Sequence, residues 1–378
     1  MLHQERVFAT VNLDNIHYNI RQVREHIPKR CKIMAVIKAD GYGHGAVRIA
    51  QELSGVDAVW GYAVATIDEA LEIIEQGIGK PVLILGYTFP STIPLAVEYG
   101  IRLTLFDRES AYLLSETAKR SGRPARVHIK LDTGMGRIGI FPDEEGLRFI
   151  KEVHDLEGIR IEGIFTHFAR ADEADKGPVH EQIKRYTDFV DRLEHEGIHV
   201  PLKHCANSAS IMELPETHLD LVRSGIITYG LLPSDEVRGD LFFLRPAMEI
   251  KASVIHVKEV PAGTPISYGG VFVTKRTSRI ATLSVGYADG YPRCLSDKGS
   301  VLLHGKRFPV VGRVCMDQMM VDVTGDDMVH PGELATLVGT DGKECISMEE
   351  FAELSQRINY EAVCDIGKRV PRVYIRNS

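Results

Sequence analysis

Short apolar runs alternate with helix-like segments through roughly the first 235 of the chain's 378 residues. The first helix-like segment carries apolar residues at positions 13, 16, 20, 23 and 27, which is the spacing of an amphipathic helix. Eight apolar runs follow it, most of them separated by a helical segment. Parallel strands that are covered by helices on both faces have this pattern.

The eight runs are short, with six to ten residues each. They are KIMAVIK (32–38), AVWGYAV (58–64), PVLILGY (81–87), IRLTLF (101–106), ARVHIKL (125–131), IRIEGIFTHF (159–168), LKHCAN (202–207) and DLVRSG (220–225). Eight such units predict a (β/α)8 barrel of the TIM type over residues 1–238. An open, doubly wound sheet is the alternative, although such a sheet usually stops at about five or six strands.

The alternation of strand-like and helix-like segments stops near residue 240. Residues 239–378 contain β-rich runs separated by Gly and Pro turns, which predicts a second, mostly β domain. One helix is predicted there, at 347–358, where Ser347 and Glu350 have the spacing of a capping box, as Thr66 and Glu69 do in the first domain. The opening run at about residues 5–11 precedes the barrel pattern, which needs no ninth strand. It can therefore pack with the second domain.

Composition excludes several classes of protein. The formal net charge of -7 argues against a general nucleic-acid surface, and no apolar run approaches the length of a membrane helix. The N-terminal sequence lacks the apolar core of a secretory signal, and the six cysteines form no C-x-x-C pair. The 15 histidines show no metal-ligand spacing, so no metal site is expected. The expected location is the cytoplasm.

Barrel enzymes place their sites at the carboxyl ends of the strands, and here those ends carry cations, amides and hydroxyls. They are Lys38, Lys130, His167, Asn207 with Ser208, and Arg223 before Gly225. A lysine that extends to solvent is the ordinary reading of Lys38 alone. The set together suits an anionic, planar ligand, with the loops after the last strands offering backbone N–H groups to a phosphate. Pyridoxal 5'-phosphate (PLP) fits, because its aldehyde takes a lysine and its ring nitrogen takes a partner.

Nine motifs along the chain occur in the order of one known family. They are AVIKADGYGHG, KLDTGMGRIG, THFARADE, CANSAS, LVRSGIITYGL, SYGG, SVGYADGYPR, GRVCMDQMMVDV and RVPR. The chain resembles the bacterial alanine racemases, which are PLP enzymes of fold type III, over essentially its whole length. The stretch CDIGK before RVPR departs from the family pattern, in which Ser and an aromatic residue are more usual.

The resemblance implies a role for each matching residue. Lys38 would form the Schiff base with PLP, and Lys38 and Tyr268 would be the two catalytic bases. The remaining cofactor positions are Tyr42, Arg137, His167, Asn207, Ser208, Arg223, Gly225, Ile226 and Tyr360. Arg137, Met316, Tyr268 and Tyr287 would meet the substrate, and Lys130 would carry a carbamate. Asp172, Arg293 and Arg313 match an outer approach corridor.

The resemblance also implies the reaction and the assembly. The expected activity is interconversion of L- and D-alanine by a homodimer, in which Tyr268 and Met316 enter the site from the partner subunit, and which supplies D-alanine for peptidoglycan. A serine or broad-range racemase remains an alternative, because a small apolar pocket rejects one extra hydroxyl weakly. A barrel-type PLP decarboxylase and a non-catalytic PLP-binding protein are the alternatives outside the class. Arg223 argues against the decarboxylase, since such enzymes oppose the ring nitrogen with a carboxylate.

Overall fold

The computed structural model describes residues 6–376, which form two compact units. The barrel unit contains residues 16–41 and 45–245, and the β unit contains the described residues up to 15, residues 42–44, and those from 246 onward. The boundary therefore falls at 245/246, seven residues beyond the predicted position, and the chain leaves the barrel unit once more at 42–44. Residue 5, the first of the predicted opening strand, lies outside the described residues.

The elements are numbered along the chain. The strands are β1 (Val7–Asn12), β2 (Lys32–Val36), β3 (Val59–Val64), β4 (Val82–Ile84), β5 (Arg102–Leu105), β6 (Ala125–Lys130), β7 (Ile159–Phe165), β8 (Leu202–His204), β9 (Leu221–Ser224), β10 (Met248–Val260), β11 (Pro265–Ile266), β12 (Phe272–Val273), β13 (Ser278–Leu283), β14 (Ser300–Leu303), β15 (Lys306–Pro309), β16 (Met319–Asp322), β17 (Leu334–Asp341), β18 (Glu344–Ile346) and β19 (Arg372–Ile375). The helices are α1 (Leu13–His26), α2 (Lys38–Tyr42), α3 (Ala46–Leu53), α4 (Ile67–Ile74), α5 (Ile93–Glu98), α6 (Arg108–Ser121), α7 (Glu144–Asp155), α8 (Gly177–His195), α9 (Ser208–Glu213), α10 (Met348–Leu354) and α11 (Asn359–Cys364).

The barrel unit is built on eight parallel strands. Their order is β8-β7-β6-β5-β4-β3-β2-β9, and every neighbouring pair is parallel. The two end strands meet, because the Asp220 amide donates to the Lys203 carbonyl at 3.1 Å and the Arg223 amide to the Ala206 carbonyl at 3.0 Å. The predicted (β/α)8 barrel is confirmed, and each of the eight apolar runs contains one strand.

The β unit is built around the long strand β10. Its main sheet has the order β15-β14-β17-β10-β1-β19, with β13 and β16 joined to β10 on a side branch. Strand β1 lies between β10, to which it is antiparallel, and β19, to which it is parallel. The opening strand therefore belongs to the sheet of the β unit, and the barrel sheet is formed by β2–β9 without it.

The helices of the β unit differ from the prediction. Helix α10 begins after Ser347, whose hydroxyl accepts from the Glu350 amide at 3.0 Å, but it ends at Leu354, four residues early. Gln356 takes a positive φ of 57°, which turns the chain, and the unpredicted helix α11 follows. With six residues, α11 is too short to show a helical period. Among the helices of residues 6–376, none is long and apolar enough to cross a membrane.

Candidate active site

Lys38 stands at the start of a left-handed turn. It follows β2 and the fully buried Ile37, and its side chain is half-buried. Ala39 and Asp40 have φ of 51° and 52°, and Gly41 has φ of 62°. Tyr42 also has a φ of 51°. Left-handed geometry costs an L-residue about 1–2 kcal/mol, so the three non-glycine residues here need compensating contacts. The turn therefore restricts the backbone conformation of the residues that follow Lys38.

Two carboxylates hold this turn within the barrel unit. Oε1 of Glu69 accepts from the Ala39 amide at 2.7 Å, directly beside Lys38. Oδ1 of Asp40 accepts from the Ala46 amide at 2.8 Å, and the Asp40 carbonyl accepts from the Gly45 amide at 2.8 Å. The predicted capping box at α4 is therefore only half formed. The Thr66 hydroxyl does cap the helix, but the Glu69 carboxylate serves the lysine turn and Ala65 instead of the Thr66 amide.

Arg223 is buried in the barrel on β9, next to β2. Its Nη2 donates to the carbonyls of Thr166 at 2.8 Å and Cys205 at 3.0 Å, and Nδ1 of His167 lies 3.4 Å from the same nitrogen. Its Nη1 donates to the carbonyl and to Nδ1 of His204, both at 3.0 Å. Burial lowers the pKa of Arg223 to about 10, so the group stays cationic at neutral pH.

A chain of hydrogen-bonded side chains leads from the buried Arg223 through two buried histidines to the partly exposed Glu162. Because Nδ1 of His204 accepts from Arg223, its Nε2 carries the proton and donates to Nδ1 of His128 at 2.8 Å. Nε2 of His128 then donates to Oε2 of Glu162 at 3.4 Å, and Arg102 donates to the same carboxylate at 2.9 Å. The direction of every hydrogen bond in this relay is fixed by the cation at one end and the carboxylate at the other.

The pKa shifts of these side chains agree with the donor and acceptor roles in the relay. Burial lowers the pKa of His204 far below its ordinary value, and the neighbouring Arg223 lowers it further, so this imidazole is neutral. Burial likewise lowers the pKa of His128. Burial acts to raise the pKa of Glu162, but hydrogen bonds from His128 and Arg102 outweigh it and bring the value to about 2. The carboxylate is ionised throughout the physiological range.

Lys130 ends β6 with its side chain buried. Its Nζ donates to the Leu131 carbonyl at 2.5 Å. Burial, with Arg223 and Arg137 nearby, lowers the pKa of this amine to about 8, against the opposing effect of Asp132. A lysine with this pKa is partly neutral in mildly alkaline solution, which is the form that adds CO2.

Arg137 lies on the loop that follows Lys130, and its side chain is exposed. Oδ1 of Asp132 organises this loop by accepting from the amides of Gly134, Met135 and Gly136 at 2.9–3.1 Å. The loop is closed by the Asp132 amide, which donates to the Ile140 carbonyl at 2.8 Å. The hydrogen bonds of this loop therefore fix the backbone from which the Arg137 side chain extends.

The loops after β8 and β9 are joined by the Ser208 hydroxyl, which accepts from the Gly225 amide at 3.1 Å. Asn207 is the N-cap of α9, and its Oδ1 accepts from the amide and hydroxyl of Ser210 at 3.0 and 2.9 Å. Ile226 opens a buried 3-10 turn. Four of the residues with an implied cofactor role, Asn207, Ser208, Gly225 and Ile226, therefore fall in two adjoining loops, with a hydroxyl and backbone amides between them.

Two further residues with an implied cofactor role, Tyr42 and Tyr360, lie in the β unit. Their ring centroids are 6.1 Å apart. Tyr42 is buried, and burial together with Cys364 raises the pKa of its phenol well above the ordinary value. Next to it, the Gly43 carbonyl accepts from Nε of Arg372 at 2.8 Å. The Tyr42 phenol is therefore a neutral hydrogen-bond donor at neutral pH.

The predicted substrate-side residues of the β unit lie on three segments, and those of Tyr287 and Met316 are hydrogen-bonded to each other. Tyr268, Tyr287 and Met316 are exposed by 68%, 43% and 52%, which marks them as surface residues of the single chain. The Tyr287 amide donates to the Cys315 carbonyl at 3.0 Å, and the following amide, of Ala288, donates to the Met316 carbonyl at 3.0 Å. Asp172 lies in the barrel unit, whereas Arg293 and Arg313 lie in the β unit.

Comparison with known proteins decides the family. The alanine racemase N-terminal domain family matches residues 11–233, and the alanine racemase C-terminal domain family matches residues 247–374. The chain belongs to the alanine racemase family. An alanine racemase of Desulforamulus reducens is 50% identical over 372 residues, which cover 98% of this chain and 100% of that protein.

Solved alanine racemases have the same fold. The structure of the Clostridium difficile 630 alanine racemase superposes with a TM-score of 0.95 at 42% identity, covering 98% of this chain and 96% of that one. The Bacillus anthracis alanine racemase, solved with bound L-Ala-P, gives a TM-score of 0.92 at 38% identity, with 99% and 96% covered. These likenesses extend over both units of the chain.

Sequence reasoning missed three groups that support this racemase-family site. They are Glu69 at the lysine turn, the relay of His204, His128 and Glu162, and Ser267 before Tyr268. A signal for the relay does exist in the sequence, because each of its members interrupts an apolar strand run. In neighbouring strands, His128 is paired with Gly163, where an added Cβ would lie 2.4 Å from the imidazole. The glycine makes room for the ring.

Proposed function

We propose that the chain is a PLP-dependent alanine racemase that works as a homodimer in the cytoplasm and supplies D-alanine for peptidoglycan. Family membership over both units supports the reaction. The observation that carries the proposal is the pairing of β2 with β9, which sets the strand leading into Lys38 beside the buried Arg223. A pyridine aldehyde requires a lysine for its aldehyde and a partner for its ring nitrogen, and this pairing brings two candidates for those roles close together.

The donor set fits PLP. Lys38 would hold its aldehyde carbon, Arg223 would face its ring nitrogen, and Arg137 would reach its phenolic oxygen. Ser208 with the adjoining backbone amides of Gly225 and Ile226 would receive its phosphate, and the phenols of Tyr42 and Tyr360 would supply further donors. PLP, when bound, withdraws electrons from the amino acid and so acidifies its Cα–H bond. Asn207 would act through the loop that it caps.

Arg223 determines the charge at the ring. At a pKa of about 10 it keeps its protons at neutral pH, so it would leave the pyridine nitrogen unprotonated. His167, whose pKa is lowered far below its ordinary value by burial and by Arg223, stays neutral beside it. An arginine at this position weakens electron withdrawal, which disfavours proton return at the cofactor carbon and so suppresses transamination.

Two bases on opposite faces of the substrate would move the Cα proton. Lys38 Nζ would serve the D-alanine face, and Tyr268 of the partner subunit the L-alanine face. One base must be protonated while the other is not, because a proton leaves one face and another arrives at the opposite face. Arg137, Met316 and Tyr287 would orient the substrate. A carbamate on Lys130 would turn a cation into an anion that can hold Arg137.

The positions of the two bases in the chain support the sharing of sites between subunits. Lys38 belongs to the barrel unit, and Tyr268 and Met316 to the β unit, where both are exposed in the single chain. A two-fold dimer forms the same contact twice and can complete two sites at once.

The decisive experiment measures chirality. Purified protein with PLP is incubated separately with L-alanine, L-serine and L-lysine, and the D-enantiomers and CO2 are quantified. We expect D-alanine to form fastest, and Lys38→Ala to abolish it. CO2 release without D-amino acid would indicate a decarboxylase, equal rates with serine would indicate a broad-range racemase, and PLP binding without either product would indicate a carrier.

A second measurement tests the lysine assignment. Borohydride reduction of the protein with PLP should fix the cofactor to one lysine, and peptide mapping should locate it at Lys38. Lys130→Arg serves as the matched control, since it should label normally. A label on any lysine other than Lys38 would overturn the site.

A further inference from the structure

Ser267, the residue before Tyr268, has a backbone conformation that glycine alone adopts readily. Its φ is 64° and its ψ is -173°. Side chains of L-residues are strained in this region, which is populated almost entirely by glycine. The chain nevertheless carries serine here, between the short strand β11 and the turn Tyr268–Gly270. A strained residue of this kind persists only where its surroundings hold it.

The Ser267 side chain supplies the holding contact. Its hydroxyl donates to the Arg313 carbonyl at 2.6 Å. With its own hydrogen used in that bond, the same oxygen can accept from the Cys315 thiol, whose Sγ lies 3.5 Å away. The Ser267 carbonyl accepts from the Gly270 amide at 3.1 Å and so closes the turn that carries Tyr268.

Arg313 contacts the other flank of the tyrosine as well. A Cβ added to Gly269 would lie 3.0 Å from its Nη1, so the guanidinium packs against the residue after Tyr268. A Cβ added to Gly312 would lie 2.9 Å from the Cβ of Ser267, so glycine is required there for the close approach. One residue thus touches both neighbours of Tyr268, by its carbonyl on one side and its guanidinium on the other.

The Arg313 segment is itself held from the other side. The Gly312 amide donates to Oδ1 of Asp297 at 2.5 Å, and the Val314 amide donates to the Ser296 hydroxyl at 2.9 Å. The same segment continues into Cys315 and Met316, whose carbonyls accept from the turn that carries Tyr287. The three predicted substrate-side residues therefore depend on one fixed stretch of backbone.

We infer that Ser267 is a positioning residue, whose hydroxyl locks the turn that carries Tyr268 onto the segment 312–316. The inference rests on the proposed function for its catalytic consequence, whereas the lock itself concerns the β unit alone. A serine at this position gains one hydrogen bond in exchange for backbone strain that a glycine would avoid. That exchange is useful where the next residue has to be held to within a fraction of an ångström, as a proton-transferring phenol must be.

The test compares Ser267→Ala with Ser267→Gly. Both variants lack the hydroxyl, but only Ala keeps the strain, so Gly should be the more stable of the two by about 5-fold or more in the unfolding equilibrium constant. Activity should not follow that order. We expect kcat for L-alanine to fall roughly 10- to 100-fold in both variants, with KM changed less than about 3-fold, because positioning rather than binding is lost.

A second readout needs no activity. Hydrogen–deuterium exchange of the protein without added PLP should show faster amide exchange over residues 266–272 in both variants. Gln356→Gly is the matched control, because Gln356 also has a positive φ, of 57°, at an exposed helix end of the same unit. It should leave kcat and the exchange of residues 266–272 unchanged.

The outcomes separate the two proposals. Exchange over 266–272 that stays at the wild-type rate in both variants would overturn the lock, as would activity that tracks the folded fraction alone. A wild-type protein that racemises no amino acid would refute the proposed function, and the exchange data would still decide whether Ser267 locks the turn.

Discussion

The relay that begins at Arg223 ends in a carboxylate, and neutralising that carboxylate should destabilise the barrel in a pH-dependent way. In Glu162→Gln the side chain keeps its shape and its ability to accept one hydrogen bond, but it loses its charge. The pKa of Glu162 falls from an ordinary value of 4.5 to about 2 in the folded protein. At about 1.4 kcal/mol for each tenfold change, the ionised form is stabilised by at most ~3 kcal/mol on folding, and we expect ~2 kcal/mol to be lost.

The sign follows from the depressed pKa. A carboxylate whose pKa is lower in the folded than in the unfolded chain stabilises the protein above the unfolded value. That contribution is lost as the pH falls through about 4.5 toward 2. The stability gap between wild type and Glu162→Gln should therefore be largest above about pH 5 and shrink steadily below it.

The chain's single tryptophan provides the assay. Trp60 lies in β3 with its ring centroid 5.9 Å from that of His128, so its fluorescence reports on this part of the barrel during urea unfolding. Glu157→Gln is the control, because that side chain is 80% exposed and forms a surface ion pair with Lys119; it should change stability by less than ~0.5 kcal/mol. A loss for Glu162→Gln that is constant from pH 3 to pH 8 would refute the reasoning.

Three further outcomes are expected. Glu69→Ala removes the acceptor of the Ala39 amide, so urea unfolding should show a loss of ~1 kcal/mol and borohydride labelling of Lys38 should slow; unchanged labelling would show that the contact is dispensable. Since the pKa of Lys130 is about 8, 13C-labelled CO2 should give a carbamate signal that grows as the pH rises from about 7 to 9 and is absent in Lys130→Arg. Co-expressed Lys38→Ala and Tyr268→Phe chains should regain roughly a quarter of wild-type activity, because half the dimers are mixed and each has one intact site; demonstrable heterodimers without activity would refute site sharing.

The barrel could be predicted because a short stretch of sequence identifies each of its strands and helices. Each strand is a short apolar run, each helix has a period, and eight repetitions leave few topologies. Dependence on local sequence signals also explains the error at α10 and α11. A capping pattern marked where α10 begins, but the positive φ of Gln356 that separates the two helices has no signature in the sequence.

The supporting side chains of the site were not predictable for a different reason. Glu69 has the spacing of a helix cap, yet its carboxylate bonds to an amide 30 positions earlier, which only the packing of α4 near β2 determines. His128 and His204 lie on β6 and β8, and it is the register of each of these strands with β7, which lies between them, that brings the two rings together; register is a property of a strand pair. Backbone torsions such as that of Ser267 depend in turn on the segment against which the turn packs.

The position of β1 has a consequence for how the protein is made. Its two partners in the sheet, β10 and β19, are synthesised only after the whole barrel has emerged, and β19 comes last. Until then both edges of β1 lack their backbone partners, so a nascent chain carries an open strand beside a barrel that can already fold. Ribosome-bound chains that stop short of residue 372 should therefore recruit chaperones at their first strand, and fusion partners placed before it should interfere with the last step of folding rather than the first.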